Sequence, residues 1–138
     1  MGNKVSIYLL FKEEKLSVKL INYLEKKVLS QFEIPFLEIV PKLIELVELK
    51  LVENQSDFSD IDSVFLAQRE SRWNSNRLVV AFVKALGLAL PINIYKGDFG
   101  LSGQLDYQGN WDNFFASFEK VSWKELEPLY NKCPIINT

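Results

Sequence analysis

The chain has 138 residues, 48% of them hydrophobic and 25% charged, with 16 Lys and Arg against 18 Asp and Glu and a formal net charge of -2. That is the length of one domain and the composition of a globular one, which excludes wholesale disorder and a generally basic, nucleic-acid-binding surface. With no histidine and one cysteine, Cys133, mechanisms that need an imidazole base, a His metal ligand, a Cys–His pair or an internal disulfide are excluded too.

Lys4 to Phe11 reads as a first strand, in which Val5, Ile7 and Leu9 alternate against Ser6, Tyr8 and Leu10. Residues 1–15 lack the layout of a secretory signal, because their apolar run is short and interrupted, and the expected address is the cytoplasm. Lys12 to Lys15 is a polar turn. Leu16 to Leu24 alternates again, Glu25 to Lys27 makes the next turn, and Val28 to Ile34 gives a third strand. Three short strands joined by tight polar turns predict an antiparallel meander.

The period then changes. From Pro35 to Val52 apolar residues recur at helical spacing: Phe36, Val40, Leu43, Val47 and Leu51, with a second row at Leu37, Ile44 and Leu49. Pro41 lies inside, so the helix either bends there or begins its regular part near it. Asn54 to Asp62 is turn-rich, and Ser63 to Gln68 suits a buried strand. Arg69 to Asn76 is a polar loop broken by Trp73. Leu78 to Leu90, LVVAFVKALGLAL, carries one charge, Lys84. It is too short to cross a bilayer, which takes roughly 20 apolar residues. Ser75 is placed to cap this helix, Gly87 lies near its end and Pro91 stops it. Ile92 to Tyr95 is a further strand. Beyond Lys96, Gly97, Gly100, Gly103 and Gly109 punctuate a turn-rich stretch. Phe114 to Phe118 is a possible strand, Ser122 to Tyr130 a short helix with Ser122 and Glu125 as a capping box, and Asn131 to Thr138 a tail.

Both helices are more apolar than a surface helix requires, since such a helix shows one apolar stripe and a polar back. One face of each should pack on the sheet. The other needs a cover, from this chain or from a partner. A face built from Val40, Leu43, Ile44, Val47, Arg77, Leu78, Ala81, Phe82, Lys84 and Ala85 is the expected interface.

The remaining chemistry is sparse. Asp57, Asp60 and Asp62 form an acidic cluster before the fourth strand. Hard cations want several oxygens, which leaves a ribonuclease H-type or nucleotide-binding enzyme as an alternative, although the spacing is not that of an EF-hand and aspartates also form turns. The loop QRESRWNSN, Gln68 to Asn76, precedes a helix where phosphates are often cradled, yet it has no glycine to let backbone amides approach an anion. Arg77 in the first helical turn opposes the helix dipole. Trp73, Trp111 and Trp123 are not interleaved with a basic stripe, so packing explains them better than base stacking. No catalytic group, cofactor or metal site is expected.

A meander followed by βαβαβ predicts an α/β fold of the ribonuclease H-like or actin-like half-domain type over residues 1–96, with residues 97–138 a reduced extension or remnant second lobe. The segments LEIVPKLIELVE (Leu37 to Glu48), SDFSDIDSVFLAQ (Ser56 to Gln68) and SRWNSNRLVVAFVKALGLAL (Ser71 to Leu90) resemble the TsaB (YeaZ) family, accessory proteins of bacterial tRNA threonylcarbamoyladenosine modification. Pro41, the Asp60–Ile61–Asp62 run, Arg77, Lys84 and Leu86 fall in matching places, Trp73 stands where the family has an aromatic, and Leu16 to Val18 resembles its second-strand motif. The departures are large. Leu10 stands at the position of the family's early Asp, the loop has lost every glycine, with Ser71 and Ser75 in two of their places, and the chain ends where the family's second domain is still under way. The resemblance implies a non-catalytic platform that pairs with the catalytic paralogue TsaD and with itself through its first two helices. It also implies that the ATPase TsaE joins, that tRNA is touched at most indirectly, and that no membrane is involved.

Overall fold

The computed structural model describes residues 4–12, 14–68, 75–98 and 115–127. Its chain order is β1 (Val5–Phe11), β2 (Lys15–Asn22), β3 (Lys27–Pro35), α1 (Ile39–Glu53), β4 (Ile61–Gln68), α2 (Ser75–Ala89), β5 (Asn93–Asp98) and β6 (Glu119–Val121), with single 3-10 turns at Phe36–Glu38 and Phe58–Asp60. Six strands form one sheet in the order β3-β2-β1-β4-β5-β6. The first three pair antiparallel as the expected meander. β4 runs parallel to β1, and β5 parallel to β4, which are the two crossovers that α1 and α2 supply. β6 closes the far edge antiparallel to β5.

Every residue of β1 is buried, because the sheet is covered on both faces. Val5, Ile7, Leu9 and Phe11 point toward the helices, where they meet Leu43, Val47 and Leu51 of α1 and Val79, Val83 and Leu86 of α2 in one core. Tyr8 and Leu10 point the other way, into a smaller cluster with Ile21, Phe65, Ala67, Phe115 and Phe118. Each fully buried aliphatic or aromatic side chain contributes about 1.5–3 kcal/mol. The register gives the second face its own pattern. Gln31, Lys19, Tyr8, Phe65, Tyr95 and Lys120 form one cross-strand row, with the aromatic residues in the middle. The Tyr95 ring stacks on Phe65 at 4.9 Å, and Phe115 lies over Phe65 at 4.5 Å.

The sequence reading needs several corrections. α1 starts at Ile39, two residues before Pro41. The proline thus sits in the first turn, where an N–H has no helical partner to lose, and no bend is required. The buried row of α1 runs through Ile39, not Val40, which is 71% exposed. α1 ends in a Schellman closure, with Ser56 N–H donating to Leu51 O at 2.8 Å and Gln55 N–H to Val52 O at 2.9 Å. Gln55 takes the positive φ, 60°, that glycine usually supplies there. Ser75 is the first helical residue of α2 and not a residue ahead of it. Gly97 is inside β5, paired with Ala67, and not in a turn. The last strand is Glu119–Val121 and not Phe114 to Phe118, since Phe115 and Ala116 are helical. Ser122 and Glu125 do make their reciprocal box, with Lys124 N–H donating to Ser122 Oγ and Ser122 N–H to Glu125 Oε1. Over residues 123–125, however, they close a turn and not a helix. Asn131 to Thr138 and the loop around Trp73 lie outside the described residues.

Gly87 is inside α2 and not at its cap. A Cβ there would lie 2.7 Å from Trp123 Cβ and 2.8 Å from Ile94 Cδ1, so the missing side chain is what lets residues 122–126 pack beneath the helix, where Leu126 is fully buried. Gly87→Ala should therefore destabilise. The helix-propensity gain of about 1 kcal/mol is outweighed by overpacking of about 1–3 kcal/mol. A drop in Tm of about 4 °C in a thermal melt is the expected outcome, and a rise would refute the packing role.

β3 forms one edge of the sheet, opposite β6. An extra residue, Leu29, bulges between Ser30 and Val28, which pair with Leu20 and Ile21. Such a bulge twists an edge away from strand addition. Near its end Glu33 accepts from Lys12 Nζ at 2.6 Å and pairs with Lys15 Nζ at 2.8 Å. The Lys12 hydrogen bond first, and then Lys15, hold the Glu33 carboxyl down from the ordinary 4.5 to about 2. Its contribution is thus fully present above pH 4.5 and is lost as pH falls toward 2. The group is open to solvent, so screening limits that contribution to a few tenths of a kcal/mol, roughly. Glu33→Gln should remove that part of the acid-limb slope in urea titrations run from pH 5 to 2, and carboxyl NMR should show Glu33 titrating below the ordinary 4.5 in the parent.

Candidate functional site

α1 and α2 lie on the same face of the sheet and contact each other. Each buries one row of side chains on the sheet and still has apolar side chains left over. On α1 and the turn before it, Leu37 is 83% exposed, Val40 71% and Val52 61%, with Ile44 also exposed. On α2 the exposed stripe is Leu78, Ala81, Ala85 and Leu88, at spacings of three and four. Each α2 residue of that stripe sits about one turn from the next, so the stripe is continuous along the helix. Because the helices touch, the two stripes belong to one surface. Contiguous apolar patches larger than a few hundred Å² are uncommon on monomers and mark interaction surfaces.

The ten residues expected at this face divide by burial. Val40, Ile44, Arg77, Leu78, Ala81 and Ala85 are exposed on it, and Lys84 is half-buried at its margin. Leu43, Val47 and Phe82 are buried. They belong to the core against the sheet and support the surface from below. The sequence reading missed Leu37, Val52 and Leu88. Leu88 could have been found from the Leu78–Ala81–Ala85 spacing alone.

The acidic cluster is used up locally. Asp57 and Asp60 form a reciprocal capping box around the 3-10 turn Phe58–Asp60, with Ser59 N–H donating to Asp57 Oδ1 at 2.9 Å and Asp57 N–H donating to Asp60 Oδ2 at 2.9 Å. The Ser59 hydroxyl and then its N–H hold the Asp57 carboxyl below its ordinary value. Asp62 is the extra residue where β1 and β4 slip register, Val5 pairing with Ile61 and Ser6 with Ser63. Its carboxylate accepts from Ser63 Oγ at 3.2 Å and Ser6 Oγ at 3.3 Å. Among the described residues no three His, Cys, Asp or Glu groups converge to hold a metal ion. Leu10 is buried among Tyr8, Phe65 and Phe115, so its position on β1 offers packing and no carboxylate. Arg77, just after the loop Gln68 to Asn76, is exposed at the start of α2. No described helix is long and apolar enough to cross a membrane.

The chain is similar in structure to YeaZ from Pseudomonas aeruginosa, with a TM-score of 0.59 and 18% identity over 70% of this chain and 45% of that one. It is also similar to an uncharacterized protein from Pseudomonas aeruginosa described as similar to peptidase YEAZ, with a TM-score of 0.53 and 17% identity over 70% and 44% of the two chains. No family model matches the chain, and no curated protein matches it. The class defined is thus a mixed α/β protein with a six-stranded sheet and two helices on one face. The particular likeness is to the YeaZ fold, of which this chain spans less than half the length.

Calorimetric titration with Mg²⁺ or ATP is expected to give no saturable heat. Saturable binding that disappears in Asp60→Asn would overturn the assignment of these aspartates to turns.

Proposed function

We propose that this chain is a divergent TsaB-type protein, a non-catalytic scaffold that acts through the α1–α2 face. On this reading residues 1–96 are a ribonuclease H-like or actin-like half-domain, and residues 97–138 a reduced second lobe packed on it. The observation that carries the reading is the surplus of exposed apolar surface on two adjacent helices whose sheet-facing rows already complete the core. A face of two helices that docks on two more makes a four-helix contact, isologous when the partner is a second copy. The shared YeaZ fold and the motif order Leu37–Glu48, Ser56–Gln68, Ser71–Leu90 support the same reading. The partners are a second copy of the chain in isolation and a TsaD-type paralogue in the working complex. A TsaE-type ATPase joins that complex in the cytoplasm, and this chain touches tRNA at most indirectly.

The middle of the α2 stripe tests it. Ala81→Asp or Ala85→Asp puts a carboxylate at an exposed helix position where the fold tolerates it, while a desolvated, unpaired charge at an interface costs several kcal/mol, roughly. Either variant should keep its melting behaviour and lose both self-association in sedimentation analysis and co-purification of a TsaD-type protein. Unchanged assembly in both variants would refute the interface.

A further inference from the structure

The face of the sheet away from the helices carries a groove of about 400 Å³ near the β3 edge, lined by Lys12, Ser17, Lys19, Gln31, Phe32 and Glu33. The strand register makes it. Ser17 pairs with Glu33, and Lys19 with Gln31. On their other side Ser17 pairs with Leu10 and Lys19 with Tyr8, so all four side chains stand on the face of Tyr8 and Leu10. Ser17 is the smallest of the four, and the surface dips at its position. The longer side chains of Lys19 and Gln31 wall the dip on one side. Those of Lys12 and Glu33, joined at 2.6 Å, wall it on the other.

Ser17 is 4% exposed, and among the described residues its hydroxyl has no hydrogen-bond partner. A hydroxyl nearly shut off from bulk water and left without a partner is costly, so a polar atom has to sit over it. A surface that needed only to pack would carry valine here, which suits a strand better. The groups around the dip are mostly donors: the ammonium groups of Lys12 and Lys19, the Gln31 amide and the Ser17 hydroxyl. The one carboxylate, Glu33, is taken up by Lys12 and Lys15 at 2.6 and 2.8 Å. Donors gathered over a buried hydroxyl fit an oxyanion, not a cation or an apolar group. Lys12 and Lys19 against Glu33 leave the lining with one positive charge in excess. A single negative charge balances it, whereas a dianion would be repelled by Glu33. We infer that this groove is a binding site for a monocarboxylate ligand, with Ser17, Lys19 and Gln31 donating to its oxygens and Lys12 beside them. The site lies across the sheet from the α1–α2 face and stands or falls independently of it.

The test is a titration of the isotope-labelled chain with sodium acetate, read from amide chemical shifts at low ionic strength, with sodium chloride at matched ionic strength as the blank. Acetate should give saturable shifts centred on Ser17, Lys19 and Gln31 that chloride does not give. Lys19→Gln keeps most of the stem and removes the charge, and should weaken acetate binding about tenfold, because hydrogen bonds to a charged group are the strong ones. Ser17→Ala should weaken it about fivefold. The amide spectrum of each variant shows that it is folded. Lys120→Gln, at the far edge of the same face, should bind acetate as the parent does. Inorganic phosphate in its dianionic form should bind more weakly than acetate. Acetate shifts no different from those of chloride, or parental affinity in both Lys19→Gln and Ser17→Ala, overturn the site. Phosphate binding tighter than acetate overturns the assignment to a monocarboxylate.

Discussion

The constraint on which the rest of the structure depends is that β1 is buried along its whole length and on both faces. A strand covered on one face could alternate apolar and polar residues. VSIYLLF cannot, and its two faces make different demands. The odd positions from Val5 to Phe11 need a broad aliphatic layer, which only two helices side by side can supply, so α1 and α2 both lie on that face. The even positions need less, and a patch of aromatic rings from Phe65, Phe115 and Phe118 covers them. The packing of Phe115 and Phe118 follows from this second demand, while Leu126 joins the helix-side core beneath α2.

The same constraint explains the surplus surface. A helix that covers a flat sheet buries only the row facing it, about a third of its circumference. On α1 that row is Ile39, Leu43, Val47 and Leu51. Val40, Ile44 and Val52 do not take part, and helix formation alone does not call for them, because β-branched residues are among the weaker helix formers. Their exposure has a cost in solubility and no return in the isolated fold. The stripe on α2 is different in kind. Ala81 and Ala85 are small, so another helix can approach closely there.

What was legible in the sequence, and what was not, divides by the range of the interactions. The meander, both crossovers and the two helices could be read from periodicity, because each depends on neighbours within a few residues. The row of α1 that faces the sheet could not. Val40 and Ile39 are both apolar and adjacent, and the choice between them depends on where the helix meets β1. The reason for Gly87 was not legible either. The demand comes from Trp123, 36 positions along the chain. The aspartates Asp57, Asp60 and Asp62 looked like one cluster because they are close in sequence. The register slip between β1 and β4 turns Asp62 to the two serines and leaves Asp57 and Asp60 to cap their own turn.

By itself the sequence determined the element types and their order from β1 to β5, the absence of imidazole chemistry and the excess of apolar residues on two helices. Those are properties of composition and short-range period, and they hold whatever the chain packs against. The tertiary structure decided which of those apolar residues complete the core and which remain on the surface. That division depends on the angle at which each helix meets the sheet, and it converts a list of hydrophobic positions into a face with Val40 and Ile44 on it and Leu43 and Val47 beneath it.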